Sequence, residues 1–350
     1  MNEIFLSGSA PESYPADTFF AFVYYGNKND VMDIPKRYPY SGEWGQPLST
    51  VLLDRPLTEI PSGVDMVWLS IPERQFYSCE LDLDSAHLQK LWQTSHKQDE
   101  DLPIEYIIVG MAPGGGVAIW FRNDRKQIIA EWTTGETTDV EMEDFLPSNP
   151  TITVEKYCDN IIKDRKCEGY LTGISDAKAM KSLYVNYMRQ FSYRYICAFE
   201  HWDSDEERWE KVDTAEIAAE FGYIEESLYD GTYDKLRDGG LLRYHSAGKP
   251  KKLRVHWRIG NSEYSAHFWL EDDRIRETFD RFFGAHPETK TDFIIRIDAE
   301  QKKYELALYR YGLNEPQVIA EDVYQLIVFK NKFEDYRSDN YNQERGAWIW

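Results

Sequence analysis

A long internal similarity constrains the fold of this chain more than any other feature. The segment Tyr77–Tyr106 aligns with the segment Tyr264–Phe293 at one constant offset and without a gap. A tryptophan precedes each copy, Trp68 in the first and Trp257 in the second. Because a chain of 350 residues is long enough for two domains, two related modules are expected.

Both copies show the same order of apolar and polar residues. Alternating apolar positions predict two strands, then an amphipathic helix, then two more strands. The predicted strands and helices cover 64–68, 76–83, 84–95, 105–110 and 117–121 in the first copy and 253–257, 264–270, 272–283, 292–298 and 304–309 in the second. An extra strand is expected before each copy, at 18–25 and 194–199. The expected fold class is therefore α+β, with two duplicated modules, each an antiparallel β-β-α-β-β sheet plus the extra strand and a helix on one face.

The prolines at 147 and 150 indicate a boundary between the modules. The predicted domains are a first module at 1–150, a connecting segment with a helix at 151–193, and a second module with a C-terminal tail at 194–350. The helix of the connecting segment is expected over 175–193, with Ser175 as its cap. A further helix is expected over 214–229.

The net charge of −21 restricts the partners that this chain can have. Nucleic acids and anionic membranes are bound by neutralising phosphates with Lys and Arg, whereas acidic residues are in excess here. We therefore expect neither a nucleic-acid nor a membrane partner. The excess of negative charge has two interpretations, and the sequence leaves both open. It speeds association with a basic partner protein, or it only keeps the protein soluble.

Neither export nor metal binding is indicated by the sequence. The first residues contain no basic segment followed by an apolar run, so the protein is expected to stay in the cytoplasm. The four cysteines do not form a Cys-x-x-Cys pair, which predicts neither a disulfide framework nor a zinc site. We expect no metal and no cofactor.

Candidate reactive groups do not assemble into a catalytic motif. The glycine-rich stretch Gly110–Gly116 lacks the Lys-Ser/Thr of a P-loop and precedes a predicted strand, which favours a hairpin turn. Cys197 and His201 form a nucleophile and base only if a turn brings them together. The prediction is that the protein has no catalytic residues and is not an enzyme.

Acidic clusters and an aromatic C-terminus are the candidate partner-binding residues. Such clusters are either solvated loops or docking surfaces for a basic partner, and the terminal tryptophans either pack against the body or face a partner. The candidate residues are Asp99, Glu100, Asp101, Glu141, Glu143, Asp144, Asp203, Asp205, Glu206, Glu207, Trp348 and Trp350.

A family resemblance is carried by Trp68-Leu-Ser and Phe76-Tyr77, followed by Ile108-Val-Gly-Met-Ala-Pro-Gly-Gly-Gly-Val-Ala-Ile-Trp120. These residues resemble an uncharacterised bacterial family with a Pro-Gly-Gly-Val-x-Val/Ile-Trp core, whose members are often described as lipoproteins. The resemblance covers roughly residues 17–150 and, through the internal repeat, extends weakly into the second half. It implies an immunity protein of the kind encoded beside type VI secretion and Rhs-type polymorphic toxins. This chain departs from the lipoprotein pattern because it lacks a signal peptide and a lipobox cysteine, which implies a toxin that acts in the cytosol.

The expected function is therefore that of a cytosolic immunity protein. Its acidic surface would occlude the active site of a cognate toxin domain, with a nuclease or ADP-ribosyltransferase as plausible toxins because both have basic clefts. Two alternatives stay open. One is a small-ligand-binding or structural protein, and the other is an enzyme with a site between the two modules that uses carboxylates with His201 or His245.

Overall fold

The protein folds into two compact units. Unit 1 comprises Met1–Met188 with Asp230–Thr232, and unit 2 comprises Arg189–Tyr229 with Tyr233–Trp350. The structure, a computed structural model, describes residues 4–12, 14–26, 30–36, 39–53, 60–95, 104–124, 126–164, 177–214, 218–237, 242–300, 303–310, 317–322 and 328–331.

The strands and helices of unit 1 lie between Ile4 and Tyr187. Its strands are β1 (Ile4–Ser9), β2 (Ala16–Tyr25), β3 (Asp30–Asp33), β4 (Ser49–Leu53), β5 (Gly63–Ser70), β6 (Gln75–Asp82), β7 (Tyr106–Ala112), β8 (Gly116–Arg122), β9 (Gln127–Thr134) and β10 (Glu136–Thr138). Its helices are α1 (Ser85–Ser95), α2 (Met142–Phe145), α3 (Val154–Asp164) and α4 (Ala177–Tyr187).

The strands of unit 1 form two sheets. One sheet has the order β10-β6-β5-β2-β3 and is antiparallel throughout. The other has the order β4-β1-β7-β8-β9, in which β1 and β7 are parallel. Apolar residues of both sheets share one core, for example Val64 and Trp68 of β5 with Val109 of β7 and Ile119 of β8. The opposite face of β5 is also buried, because α2 and α3 cover Val67 and its neighbours.

Unit 2 is also built mainly from strands. Its strands and helix are β11 (Phe191–Asp203), β12 (Arg208–Lys211), β13 (Ala219–Leu228), β14 (Tyr233–Arg237), β15 (His245–Ala247), β16 (Pro250–Ile259), β17 (Ser262–Trp269), α5 (Asp272–Phe283), β18 (Thr291–Asp298), β19 (Tyr304–Tyr309), β20 (Gln317–Asp322) and β21 (Val328–Asn331).

The strands of unit 2 again form two sheets. One has the order β12-β11-β18-β19-β20, with β11 and β18 parallel and β15 paired to β11. The other has the order β14-β13-β16-β17-β21. Their shared core contains Val255 and Phe268 from one sheet, Ile295 and Leu306 from the other, and Phe279 of α5.

The predicted α+β fold of two duplicated modules is wrong. Strands account for 53% and helices for 17% of the structure, which makes it mostly β. In each unit the β-β-α-β-β stretch does not form one antiparallel sheet with a helix on a face, because its first two strands and its last two strands join different sheets. The prediction failed because the parallel pairs β1-β7 and β11-β18 connect strands that are far apart in the sequence. The local pattern of apolar and polar residues does not reveal such pairs.

Several local predictions are confirmed, and one is wrong. The strands and helices predicted in both copies of the repeat are present, and α5 spans the predicted residues 272–283. The helix predicted over 175–193 is present as α4, which ends at Tyr187, and residues 191–193 belong to β11 instead. Ser175, the predicted cap, lies outside the described residues. The helix predicted over 214–229 is replaced by β13, in which Ile224 and Leu228 point into the core at strand spacing.

Candidate partner-binding hairpin

An exposed acidic hairpin is formed by β11 and β12 of unit 2. The two strands pair antiparallel, with Trp202 opposite Trp209 and Asp203 opposite Arg208. Four of the predicted site residues, Asp203, Asp205, Glu206 and Glu207, lie at its tip. We call residues 202–209 the acidic hairpin.

Asp203 determines the shape of the tip. Its Oδ1 accepts the backbone N–H of Asp205 at 2.9 Å and that of Glu206 at 3.1 Å, an arrangement that favours a tight turn. The same two bonds hold the pKa of Asp203 below its ordinary value, so this carboxylate is ionised at neutral pH. Glu207 completes the turn with a φ of +50°.

The base of the hairpin is held by a cation between two indole rings. The Trp202 and Trp209 rings lie 5.3 Å apart, and the Lys303 Nζ lies 3.2 Å from the centre of the Trp202 ring and 5.9 Å from that of Trp209. Lys303 is only 4% exposed. A buried cation over tryptophan is strongly attracted to the ring, so this contact holds the hairpin against Lys303, the residue directly before β19.

A second set of contacts joins the hairpin to β18. The Oδ1 atom of Asp298 accepts the backbone N–H of Trp202 at 3.1 Å and lies 3.7 Å from Nδ1 of His201. The backbone N–H of Ala299 donates to the carbonyl of Glu200 at 2.9 Å. The acidic tip is therefore carried by an ordered part of the sheet.

The tip has a concentrated negative charge. Asp205, Glu206 and Glu207 are all exposed. Arg208 is the one cation within 203–208, which leaves this stretch with four carboxylates and one guanidinium, a net charge of −3. Arg208 contacts Glu206 at 2.9 Å and Glu210 at 2.7 Å. Exposed ion pairs of this kind neutralise little, so the tip presents an anionic surface.

The predicted residues Glu141, Glu143 and Asp144 lie on and before α2 in unit 1, and all three are exposed. The helix is anchored from its other side, where the Phe145 ring lies 5.1 Å from that of Phe76. The structure thus places this acidic cluster and the acidic hairpin in different units. The remaining predicted residues Asp99, Glu100, Asp101, Trp348 and Trp350 lie outside the described residues.

The glycine-rich stretch is a turn, as predicted. It joins β7 to β8, and the backbone N–H of Gly114 donates to both carboxylate oxygens of Glu73 at 3.0 Å each. Glu73 also accepts the hydroxyl of Tyr77 at 3.0 Å. Gly114 has a φ of +72°, and a Cβ there would lie 2.6 Å from Lys181. The N–H group that a phosphate would need is therefore already bound by Glu73, a partner that sequence reasoning missed because it is far away in the chain.

Cys197 and His201 do not form a nucleophile and base. Both lie on the continuous strand β11, four positions apart, which corresponds to about 13 Å along a strand. Burial raises the pKa of the Cys197 thiol to about 12, so the thiol stays protonated. Over the part of the chain that the structure describes, no three His, Cys, Asp or Glu side chains are grouped as a metal site would need.

A buried carboxylate that the sequence did not reveal lies inside unit 2. Glu226 of β13 accepts the hydroxyl of Tyr195 at 2.5 Å, and its Oε1 lies 3.7 Å from Nε2 of His245. Glu226 is 3% exposed. Burial lowers the pKa of His245, but the nearby carboxylate of Glu226 outweighs burial and raises this pKa above its ordinary value. His245 was a candidate only because it is a histidine, since the pairing of β11 with β15 that places it here is non-local.

Residues 5–194 match the family described as "Protein of unknown function (DUF2931)". The chain belongs to this family. The DUF2931 match includes the glycine-rich turn and Trp120. Because Gly110 has no Cβ, the rings of Trp120 and Trp44 can pack against its backbone. Neither the search of curated proteins nor that of solved structures found a match.

Of the two described acidic clusters, one lies within the residues that match DUF2931 and the other lies outside them. It contains α2 with Glu141, Glu143 and Asp144, and it ends within β11, before the acidic hairpin. Among the described residues, no helix is both long and apolar enough to cross a membrane.

Proposed function

We propose that this protein is a cytoplasmic immunity protein that binds and neutralises a cognate toxin domain of the type VI secretion or Rhs class. In this proposal it acts without catalysis, by covering the toxin's active site. The acidic hairpin is the element that enters a basic cleft. The toxins that fit best are nucleases and ADP-ribosyltransferases, since their substrates are anionic.

The observation that supports the proposal best is the acidic hairpin itself. Three exposed acidic residues and the half-buried Asp203 form its tip, and at its base Lys303 is buried against Trp202 and Trp209. An ordered anionic projection loses little conformational entropy on binding, which favours affinity. Its charge also speeds encounter with a positively charged cleft.

The net charge of −21 supports the same interpretation, because the field of the whole chain adds to that of the hairpin. The link to type VI and Rhs toxins comes from the resemblance carried by Trp68-Leu-Ser, Phe76-Tyr77 and Ile108–Trp120. Membership of the DUF2931 family is consistent with that resemblance, and the family's description assigns no function.

Co-expression tests the proposal. The toxin domain encoded beside the gene is produced in a bacterial host together with the wild-type chain or with one of two variants. The hairpin variant carries Asp205→Asn, Glu206→Gln and Glu207→Gln, and it keeps Asp203 because that residue forms the turn. The matched control removes the same charge from α2 with Glu141→Gln, Glu143→Gln and Asp144→Asn.

The proposal expects growth with the wild-type chain and with the α2 variant, and loss of growth with the hairpin variant at equal expression. If the wild-type chain gives no protection, the immunity function is wrong. If protection survives in the hairpin variant and is lost in the α2 variant, the contact lies in the DUF2931 part of the chain and the role given to the hairpin is wrong.

A further inference from the structure

One sheet face of unit 2 is basic, although the chain as a whole is strongly acidic. In β16 the side chains of Leu253, Val255 and Trp257 point into the core. The alternate residues therefore lie on the opposite face, together with their cross-strand partners in β13, β14 and β17. We call this surface the basic face. Its cations are Lys235, Arg237, Lys252, Arg254 and Arg258, and its carboxylates are Glu220, Glu225 and Glu263.

The sign of this surface is opposite to that of the chain. Five cations and three carboxylates give the basic face a net charge of +2, against −21 for all 350 residues. Glu225 lies 3.1 Å from Lys235 and 3.4 Å from Arg254, and one carboxylate between two cations leaves a positive excess. A face that is only exposed to solvent does not need a charge opposite to that of the rest of the chain. The positive charge of the basic face therefore favours a role in binding.

Within the described residues, three buried side-chain atoms at the centre of the basic face have no hydrogen-bond partner. They are Nε of Arg254, Nε2 of His256 and Oγ of Ser265, all of them buried. His256 and Ser265 are directly opposite each other on β16 and β17 and are 9% and 1% exposed. Buried polar groups in folded proteins almost always have a partner, so three such atoms on neighbouring positions leave hydrogen-bonding capacity unused beneath the basic face.

The charge state of His256 shows the local field. Burial, followed by the nearby Arg254, lowers the pKa of His256 to about 4, and the ring is therefore neutral at pH 7. A neutral imidazole beside a guanidinium offers hydrogen bonds without adding charge. Any group that satisfies Arg254 here must be an acceptor, and the positive field favours an anionic one.

Aromatic rings complete the basic face. Tyr223 stacks on His256 with ring centres 3.9 Å apart. Trp269 is 39% exposed, and the Nζ of Lys252 lies 4.9 Å from the centre of its ring. Tryptophan, tyrosine and arginine are the residues that most often contribute binding energy at protein interfaces.

We propose that the basic face binds an acidic segment of a partner protein, whose carboxylates are held by Arg254 and Lys252. The side chain of Arg254 is 38% exposed, so its guanidinium can turn towards an incoming carboxylate. An acidic protein segment fits better than a nucleic acid, because a long polyanion would extend into the negative field of the rest of the chain. This site is separate from the acidic hairpin and does not depend on the proposed immunity function.

Fluorescence anisotropy with a fluorescein-labelled hexaglutamate peptide tests the proposal on the full chain, at about 0.1 M salt, where the Debye length is about 10 Å. Three variants are compared with the wild type: Arg254→Gln, Lys252→Gln and the matched control Arg258→Gln. Arg258 lies on the same strand and face, but four positions from Arg254, which is about 13 Å along a strand, and its guanidinium is paired with Glu263 at 3.2 Å. A labelled single-stranded thymidine hexamer serves as the second ligand. Thermal melts establish that each variant is folded.

The expected result is saturable binding of the peptide, weakened about tenfold by Arg254→Gln and changed less than about twofold by Arg258→Gln. Lys252→Gln should weaken binding of the peptide as well. If Arg254→Gln does not fold, the comparison of Lys252→Gln with the wild type still tests the proposal. The proposal is overturned if the wild-type chain does not bind the peptide, if the thymidine hexamer binds more tightly than the peptide, or if Arg258→Gln weakens binding as much as the other variants do.

Discussion

The ammonium group of Lys303 lies 3.2 Å from the centre of the Trp202 ring, at the base of the acidic hairpin. This contact joins Lys303, directly before β19, to β11, so a residue about a hundred positions away holds the hairpin in place. The tip depends on this base because Asp203 directly follows Trp202. A positive charge beneath the tip also balances part of the repulsion among its carboxylates.

Replacing Lys303 with methionine should loosen the hairpin. The variant keeps most of the buried volume and loses the charge, and the free energy of unfolding should fall by about 2 kcal/mol, the strength of a desolvated cation–π contact. Urea denaturation measures the loss, and amide hydrogen exchange of residues 202–209 should become faster. Lys252→Met is the control, since Lys252 stacks on the exposed Trp269 and its loss should cost less than about 1 kcal/mol. Equal losses in the two variants would contradict a special role for Lys303.

Asp17 should make unit 1 less stable as the pH rises. Burial raises the pKa of Asp17 from 3.8 to about 6, even though its carboxylate accepts a hydrogen bond from Tyr157 of α3. The folded state therefore binds the proton more tightly than the unfolded state does. The resulting contribution to stability is fully present below pH 3.8 and is lost as the pH rises through 6.

The variant Asp17→Asn removes this dependence. Its free energy of unfolding should gain about 2–3 kcal/mol relative to the wild type between pH 4 and pH 7, as expected for a shift of about two pKa units. Urea titrations of both proteins across this range measure the difference. A difference that stays constant, or that shrinks with rising pH, would show that burial does not dominate at Asp17.

Glu226 should control the protonation of His245. Because burial alone lowers the pKa of this histidine, Glu226→Gln should bring it below 6.5, whereas in the wild type it lies above 6.5. Titration of the imidazole carbon-bound protons by NMR gives both values. His256, whose pKa is lowered to about 4 by burial and by Arg254, serves as the internal control and should not change. A His245 pKa that is the same in both proteins would place the cause elsewhere.

Local structure was predictable from the sequence where short-range patterns decide it. The strand at 64–68 was evident because apolar residues alternate there, and α5 was evident because Ile275 and Phe279 recur at helical spacing. The glycine-rich turn was also predictable, since Gly110–Gly116 lies between two apolar runs. In each of these segments the pattern of neighbouring residues was enough to predict the conformation.

The prediction of a helix over 214–229 shows where this reasoning fails. Alanine and glutamate favour helices, but Ile224 and Leu228 find a core only if the segment pairs with β14 and β16. Tertiary pairing therefore overrides intrinsic propensity. The fold class failed for a related reason, because parallel pairs such as β11 with β18 join residues about a hundred positions apart, and these pairs decide which sheet each strand enters.

The candidate site was predictable in part. The charge run Asp203–Glu207 was evident in the sequence, and its interpretation as a docking surface stays a prediction. The ordered base was not evident, because Lys303 and Asp298 reach the hairpin from a different strand pair. The basic face was also missed, since its cations lie on two strands, β14 and β16, and no charge run marks them.

The salt dependence of the affinity for the toxin domain tests the role of the acidic hairpin most directly. The dissociation constant of the purified complex is measured from low to high ionic strength for the wild type, the hairpin variant and the α2 variant. The proposal predicts that the wild-type and α2 complexes weaken steeply with salt, whereas the hairpin complex is weaker by on the order of tenfold at low salt and responds much less to salt. A hairpin variant with the affinity and the salt response of the wild type would contradict it.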